Sequence, residues 1–200
     1  MNNKVIAISR QFGSGGRTIG RLVAEKLGIP CYDQELIEKI SEESGLCEDF
    51  IKERGEYASS GNWLANAFAD RDYYGHSVQD DVWFAQRKVI LELAEKGPCV
   101  IVGRCADYIL RDVEYTLNVF LTSPMEVRVA RIAEDKGISD EEAERMIVAA
   151  DRKRAEYYNY YTFGDWGVAS TYDLCLDSSM LGLDGTVDFI IKFADKAGLL

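Results

Sequence analysis

Val5-Ile6-Ala7-Ile8-Ser9-Arg10-Gln11-Phe12-Gly13-Ser14-Gly15-Gly16-Arg17-Thr18 begins as a short β-rich apolar run and ends in a glycine cluster. Beyond the glycines, Ile19, Leu22, Val23 and Leu27 recur at helical spacing until Gly28-Ile29-Pro30 stops the helix. Strand, glycine-rich turn and amphipathic helix, in that order, are the context a phosphate-binding loop requires. Against the pattern G-x-x-x-x-G-K-S/T, Gly16 and Thr18 match, while Gln11 stands for the first glycine and Arg17 for the lysine. Gly13, Gly15 and Gly16 can adopt positive φ and, with Ser14 between them, expose successive amides. Those amides and the helix N-terminus together form an anion cradle. Arg17 brings a permanent planar charge to phosphate oxygens. Thr18 places a hydroxyl where Mg²⁺ sits between phosphates. A purely structural glycine turn is the competing reading of these letters, and the strand–loop–helix context favours the phosphate site.

Working outward, Cys99-Val100-Ile101-Val102 is a second buried-strand signal after the turn Gly97-Pro98. Val82, Ala85, Val89 and Leu93 make the preceding helix amphipathic. Cys31-Tyr32 reads as a very short strand, followed by a helix through Leu36, Ile37 and Ile40; Tyr115 to Leu121 and Tyr172 to Leu176 supply two more strands. Ser139-Asp140-Glu141-Glu142 is a capping box that starts a helix between them. The final helix buries Leu183, Val187, Ile190, Ile191 and Ala194. Strands alternating with helices imply an α/β protein with a parallel sheet covered on both faces. With no repeat or linker, residues 1–200 read as a single domain.

Two segments fit this skeleton poorly. Residues 56–79, which contain the only histidine, His76, read as irregular or as a small helical excursion. His76 is read as a surface-loop residue. Residues 157–171 are rich in Tyr, Gly and Trp, and long connections of this kind serve as lids or as plain solvated loops. Tyr157-Tyr158-Asn159-Tyr160-Tyr161 either stacks on a base or packs a lid or a homodimer contact.

Composition narrows the partners. The 200 residues, 47% hydrophobic and 28% charged, suffice for one compact core. A net charge of -11 argues against a general grip on a nucleic acid polymer or an anionic membrane. It leaves small anions open, because a few arginines can converge locally. Cys31, Cys47, Cys99, Cys105 and Cys175 are odd in number and form no C-x-x-C pair, so free structural thiols in a reducing cytosol are expected. Cys99 and Cys175 lie in apolar runs, where a thiol behaves as a small core residue. Met1-Asn2-Asn3-Lys4 leads straight into a strand pattern without a signal-peptide apolar region. No apolar stretch approaches the roughly 20 residues needed to span a bilayer. The expected location is cytoplasmic.

Three segments carry a family resemblance: Ile8 to Arg17; Val102-Gly103-Arg104-Cys105-Ala106-Asp107-Tyr108-Ile109-Leu110; and Tyr172-Asp173-Leu174-Cys175-Leu176-Asp177-Ser178-Ser179. In that order along nearly the whole chain, they resemble the cytidylate kinase-like family of P-loop nucleoside monophosphate kinases, in which an arginine in the phosphate loop is usual. The resemblance implies a three-layer P-loop kinase fold with a five-stranded parallel sheet and a helical lid. It further implies ATP with Mg²⁺ as donor and a nucleoside monophosphate as the small phosphate-accepting substrate. The excursion at about 34–80 would bind the acceptor, and the lid would span about 134–165.

Residue by residue, Gly103-Arg104 is similar to a Gly-Arg-Asp motif whose arginine contacts the acceptor phosphate, with Cys105 in place of the aspartate. Asp151-Arg152-Lys153-Arg154 is similar to the Asp-Arg-x-Arg run of the lid, where Asp151 and Arg154 would face nucleotide and phosphates. Asp33 matches an acidic residue after the second strand, and equally well caps the following helix. Gln34, Lys39 and Thr122 depart from the family's serine, arginine and aspartate, so cytidine specificity does not follow. Phosphoryl transfer asks for positioning and charge neutralisation more than for a base. Arg17, Arg104, Arg152 and Arg154 are the cations assigned to that task, although 152 and 154 also read as a solvated helix face. Two other functions stay open: a nucleotide-binding sensor or interaction protein on a kinase scaffold, and a kinase for a non-nucleotide small molecule.

Overall fold

The computed structural model describes residues 4–33, 35–45 and 78–200. Strand β1 (Val5–Arg10) is buried at every position. It pairs in parallel with β3 (Cys99–Val102), Ile6 opposite Val100, and with β4 (Thr116–Thr122), Ile8 opposite Val119. The short β2 (Cys31–Tyr32) and β5 (Leu174–Asp177) form the two edges, giving the parallel order β2-β3-β1-β4-β5. A strand covered on both faces needs no polar alternation, which is why β1 and β3 are continuous apolar runs.

Helices α1 (Gly16–Leu27) and α7 (Ser178–Lys196) cover one face, where Ile19, Val23, Val187, Ile190 and Ala194 meet Ile6, Ile8, Val100 and Val119. The other face packs Val5, Ala7, Cys99 and Ile101 against α2 (Glu35–Ser44), α3 (Val78–Lys96), the single turn α4 (Ala106–Ile109) and the end of α6 (Asp140–Thr162). Helix α5 (Met125–Lys136) pairs with α6 through Val129, Ile132, Ala143 and Ile147, and Phe12 packs against this cluster. The α5–α6 pair therefore sits over the loop that follows β1. At the start of α6, Ser139 Oγ accepts from the Glu142 amide at 3.3 Å, as the capping box predicts.

Four expectations need correction or limits. Tyr115 (φ 64) is a turn residue, and Tyr172 closes the short 3-10 turn Ala169–Thr171, so β4 and β5 begin later than the apolar runs suggest. Tyr157 to Thr162 are not part of a loop: they complete α6, because Tyr157 and Tyr158 are buried in the core and Tyr161 stacks on Trp83 at 4.5 Å and 9°. Tertiary packing there overrides weak helix propensity. Cys99 is buried, with its thiol pushed up to about 12 by burial, but Cys175 is exposed. It lies on edge strand β5 between Leu174 and Leu176, which point to the face that α7 covers. Cys47, His76, Gln34 and most of the 34–80 excursion lie outside the described residues. Among the described residues, no helix is long and apolar enough to cross a membrane.

Helix α1 reaches the sheet because Gly20 has no side chain; a Cβ there would stand 2.7 Å from Val102 Cγ2. Glycine-to-alanine inside a helix ordinarily stabilises by about 1 kcal/mol. Here overpacking by about 1–3 kcal/mol opposes that gain, so Gly20→Ala should lower the unfolding free energy. Urea denaturation measures this, and a gain in stability would show a looser α1–sheet contact.

A phosphate loop and a buried arginine at one sheet edge

Parallel pairing brings the C-terminal ends of all five strands to one edge. The strand order reverses at β1, the place where α/β sheets open a crevice. The loop after β1 turns through Gly13 (φ 79) and Gly15 (φ 82), and α1 starts at Gly16 with no side chain capping it. The first amides of a helix have no intrahelical acceptor, so this end is electropositive and open to an anion. Gly16 is required by contact as well: a Cβ there would meet Arg10 Cγ at 2.6 Å.

The loop's other polar atoms are held by neighbouring elements. Gln11 N donates to Leu121 O at 2.9 Å, and the Gln11 side chain accepts from Ser123 N at 3.3 Å, tying the loop to the end of β4. Arg128 and Arg131 of α5 donate to the carbonyls of Phe12 and Gly13. Ser178 Oγ at the start of α7 donates to the Ser14 carbonyl at 2.6 Å. Asp151 of α6 accepts the Phe12 amide at 2.7 Å and pairs with the buried Arg128. Arg154, one turn further along α6, donates to Arg10 O at 2.8 Å, with its guanidinium 5.5 Å from the Phe12 ring centroid.

Arg17, on the first turn of α1, reaches Asp33 after β2, Nε to Oδ2 2.9 Å, with side chains 51% and 22% exposed. Thr18 follows it, half-buried. Among the described residues, no group of three or more His, Cys, Asp or Glu gathers. Mg²⁺ in phosphoryl-transfer sites takes most ligands from phosphate oxygens and water, so a lone hard hydroxyl beside an anion cradle fits that ion.

Beyond β3, Gly103 (φ 77), Arg104 (φ 60) and Cys105 (φ 53) form three successive positive-φ residues. For the two with side chains this costs about 1–2 kcal/mol each, and such strain persists only where the surroundings over-determine it. Gly103 N donates to Ile8 O at 2.9 Å, and Gln86 Nε2 of α3 donates to Arg104 O at 2.8 Å. Arg104 itself is 1% exposed. Beside it, Asp107 accepts from Ser9 Oγ at 3.1 Å and from Tyr158, yet burial outweighs these bonds and raises its carboxyl above the ordinary value of 3.8.

The structure thus gathers Gly13, Ser14, Gly15, Gly16, Arg17, Thr18, Asp33 and Arg104 along the strand ends, with Asp151 and Arg154 behind the loop. Arg152 lies on the solvent side of α6, paired with Glu156 at 2.7 Å. Sequence reading noted Gln11 only as a departure from the motif and passed over Arg128, Arg131 and Gln86. Arg128 and Arg131 carry one faint signal, cations three residues apart on one helix face.

The comparisons agree with this geometry. The chain belongs to the cytidylate kinase-like family, whose profile matches residues 5–180, and it is an enzyme of the P-loop phosphotransferase class. It is similar to the cytidylate kinase of Methanothrix thermoacetophila, 31% identical over 188 residues that cover 94% of this chain and 95% of that protein. It is also similar to the cytidylate kinase of Pyrococcus horikoshii, 30% identical over 192 residues, 95% and 87% covered. Among solved structures, an uncharacterized protein from Eubacterium ventriosum superposes with TM-score 0.73 at 28% identity, covering 97% of this chain and 99% of that one. Shikimate kinase from Aquifex aeolicus, TM-score 0.54 at 20% identity and 98% coverage of each chain, shares the fold.

Asp151→Asn keeps an acceptor for Phe12 but strips Arg128 of its countercharge. The expected result is a loss of about 2–4 kcal/mol in unfolding free energy, read by chemical denaturation; an unchanged value would show that the loop stands without this brace. A second prediction concerns Asp107. Its folded-state carboxyl titrates above its unfolded value, so the native state keeps the proton longer, and this group's contribution to stability falls as pH rises above about 3.8. Asp107→Asn removes that term, so the variant should gain on the parent as pH rises above about 3.8. A difference between the two that stays constant as pH rises from below that value would refute the assignment.

Proposed function

We propose that this protein transfers the γ-phosphoryl group of ATP to a nucleoside monophosphate, with CMP the first acceptor to test. The joint placement of an uncapped, glycine-turned helix start and the buried Arg104 on one sheet edge carries this reading. The amides of Gly13 to Gly16 would hold the β- and γ-phosphates, and Arg17 would leave Asp33 to pair with them. Thr18 would ligate Mg²⁺, which when bound neutralises charge on the transferring group. Arg104 would meet the acceptor phosphate, whose oxygen attacks the γ-phosphorus as ADP departs. Asp151 and Arg154 act on the phosphates through the backbone they hold, at Phe12 and Arg10, and Arg152 is assigned no phosphate.

One observation favours a second reading, a small non-nucleotide acceptor. Thr122 stands where the family resemblance places an aspartate, and its hydroxyl is engaged with the Leu176 carbonyl at 3.4 Å. Cys105 likewise replaces an acidic residue beside Arg104.

Turnover of ATP with a panel of ribo- and deoxyribonucleoside monophosphates decides between the two. Under the first reading at least one mononucleotide yields the diphosphate, and Arg17→Ala weakens ATP binding tenfold or more, about 1.4 kcal/mol or above. ATP binding without transfer to any mononucleotide would sink the first reading and favour the second.

A further inference from the structure

The strained turn at Gly103–Cys105 is fastened from a direction that the reaction itself does not explain. Gln86 lies on α3 with no solvent exposure, and both ends of its amide are engaged. Its Nε2 donates to the Arg104 carbonyl at 2.8 Å, and its Oε1 accepts from the Tyr157 hydroxyl at 3.4 Å. Tyr157 belongs to a stripe of α6 at helical spacing, Asp151, Arg154 and Tyr157, whose earlier members hold the phosphate loop at Phe12 and at the Arg10 carbonyl. One helix face therefore bears on the loop directly and, through Gln86, on the carbonyl of the buried arginine.

We propose that Gln86 is a positioning residue for Arg104, pinning its left-handed backbone and coupling it through Tyr157 to the α6 face that braces the phosphate loop. The proposal rests on the reading of Arg104 as the acceptor-phosphate contact. Its physical basis is the donor itself. The Arg104 carbonyl lies in a buried turn, where a lost donor is not replaced by water. A residue at positive φ drifts toward ordinary backbone angles when its tether is cut. Drift of about an ångström at the arginine is enough to spoil contact with a phosphate. An apolar residue at position 86 would fill the core equally well and supply no tether.

The test uses the intact protein with ATP and CMP, measuring KM for each substrate and kcat. Gln86→Leu should raise the acceptor KM about tenfold or more and leave the ATP KM within about twofold. A merely structural role would lower the active fraction, and so kcat, with both KM values unchanged. In an Arg104→Ala background, Gln86→Leu should add no further rise. Gln86→Glu donates to the carbonyl only when protonated, and burial at this fully enclosed position raises a carboxyl, so its acceptor KM relative to the parent should fall as pH is lowered from about 8 to about 5. An unchanged acceptor KM in Gln86→Leu, with Arg104→Ala raising it, overturns the proposal and leaves the acceptor reading intact. Arg104→Ala without effect on the acceptor KM overturns both, as does a failure of CMP and every other mononucleotide to accept phosphate. Should Gln86→Leu not fold, the Gln86→Glu series decides, and a pH-independent ratio to the parent overturns the proposal.

Discussion

A loop that offers its amides to an anion must place its carbonyls where something else will bond them, or the chain relaxes into an ordinary turn. That constraint organises this structure. The carbonyls of Phe12, Gly13 and Ser14 accept from Arg128, Arg131 and Ser178, residues of two helices distant in sequence. A net bond of this kind is worth about 0.5–3 kcal/mol, more when charged. Several together offset part of the conformational freedom of a glycine-rich segment, which at about 1–2 kcal/mol per residue is the main force against order. The parallel sheet, the α5–α6 pair over Phe12 and the start of α7 at Ser178 can all be understood as ways to bring donors to one short stretch of backbone.

The same constraint gives two acidic residues different work. Asp151 faces a backbone amide and a buried arginine and is part of the frame. Asp33 faces an arginine that is half in water. The family resemblance reads both as candidate ligand contacts, with a helix cap equally open for Asp33. The polar layer beneath Arg104 follows similar logic. Asp107, Ser9 and Tyr158 join α4, β1 and α6 within the core, and burial makes the charged form of Asp107 costly despite its bonds. A carboxyl kept there fixes the turn that follows β3 against the strand that precedes the phosphate loop.

Most of the scaffold was legible in the sequence because buried parallel strands are apolar runs and their helices carry periodic stripes. β1, β3 and α1 needed nothing else. The edges were less legible. Strand β5 contributes Cys175, apolar by its neighbours and exposed by its position, since burial at an edge depends on which face a helix covers. The tyrosines of 157–161 were opaque for another reason. Their composition is that of a loop, and partners far away in sequence, Trp83, Gln86 and Asp107, make them a helix end. At the site, the glycines declared themselves by spacing, whereas the residues that hold them did not. Gln11, Arg128, Arg131 and Gln86 each reach backbone distant in sequence, and no local pattern encodes such a bond.

The cations of the site divide by how readily they can change partner. Arg128 and Asp151 are 7% and 17% exposed, so parting them would strand a charge in a poorly solvated place, at a cost of about 3–5 kcal/mol. Arg17 and Asp33 are 51% and 22% exposed, and a pair so open to water is worth about 1 kcal/mol or less. A polyphosphate arriving at the helix start offers Arg17 more charge than one carboxylate does, with a bidentate fit. Under the proposed function the exposed pair is the one that would yield, while the buried pair keeps the loop in shape. This separation would also let a chain of net charge -11 receive an anion: on the proposed reading the attraction comes from a preset helix end and one exchangeable arginine, with no need for a basic surface.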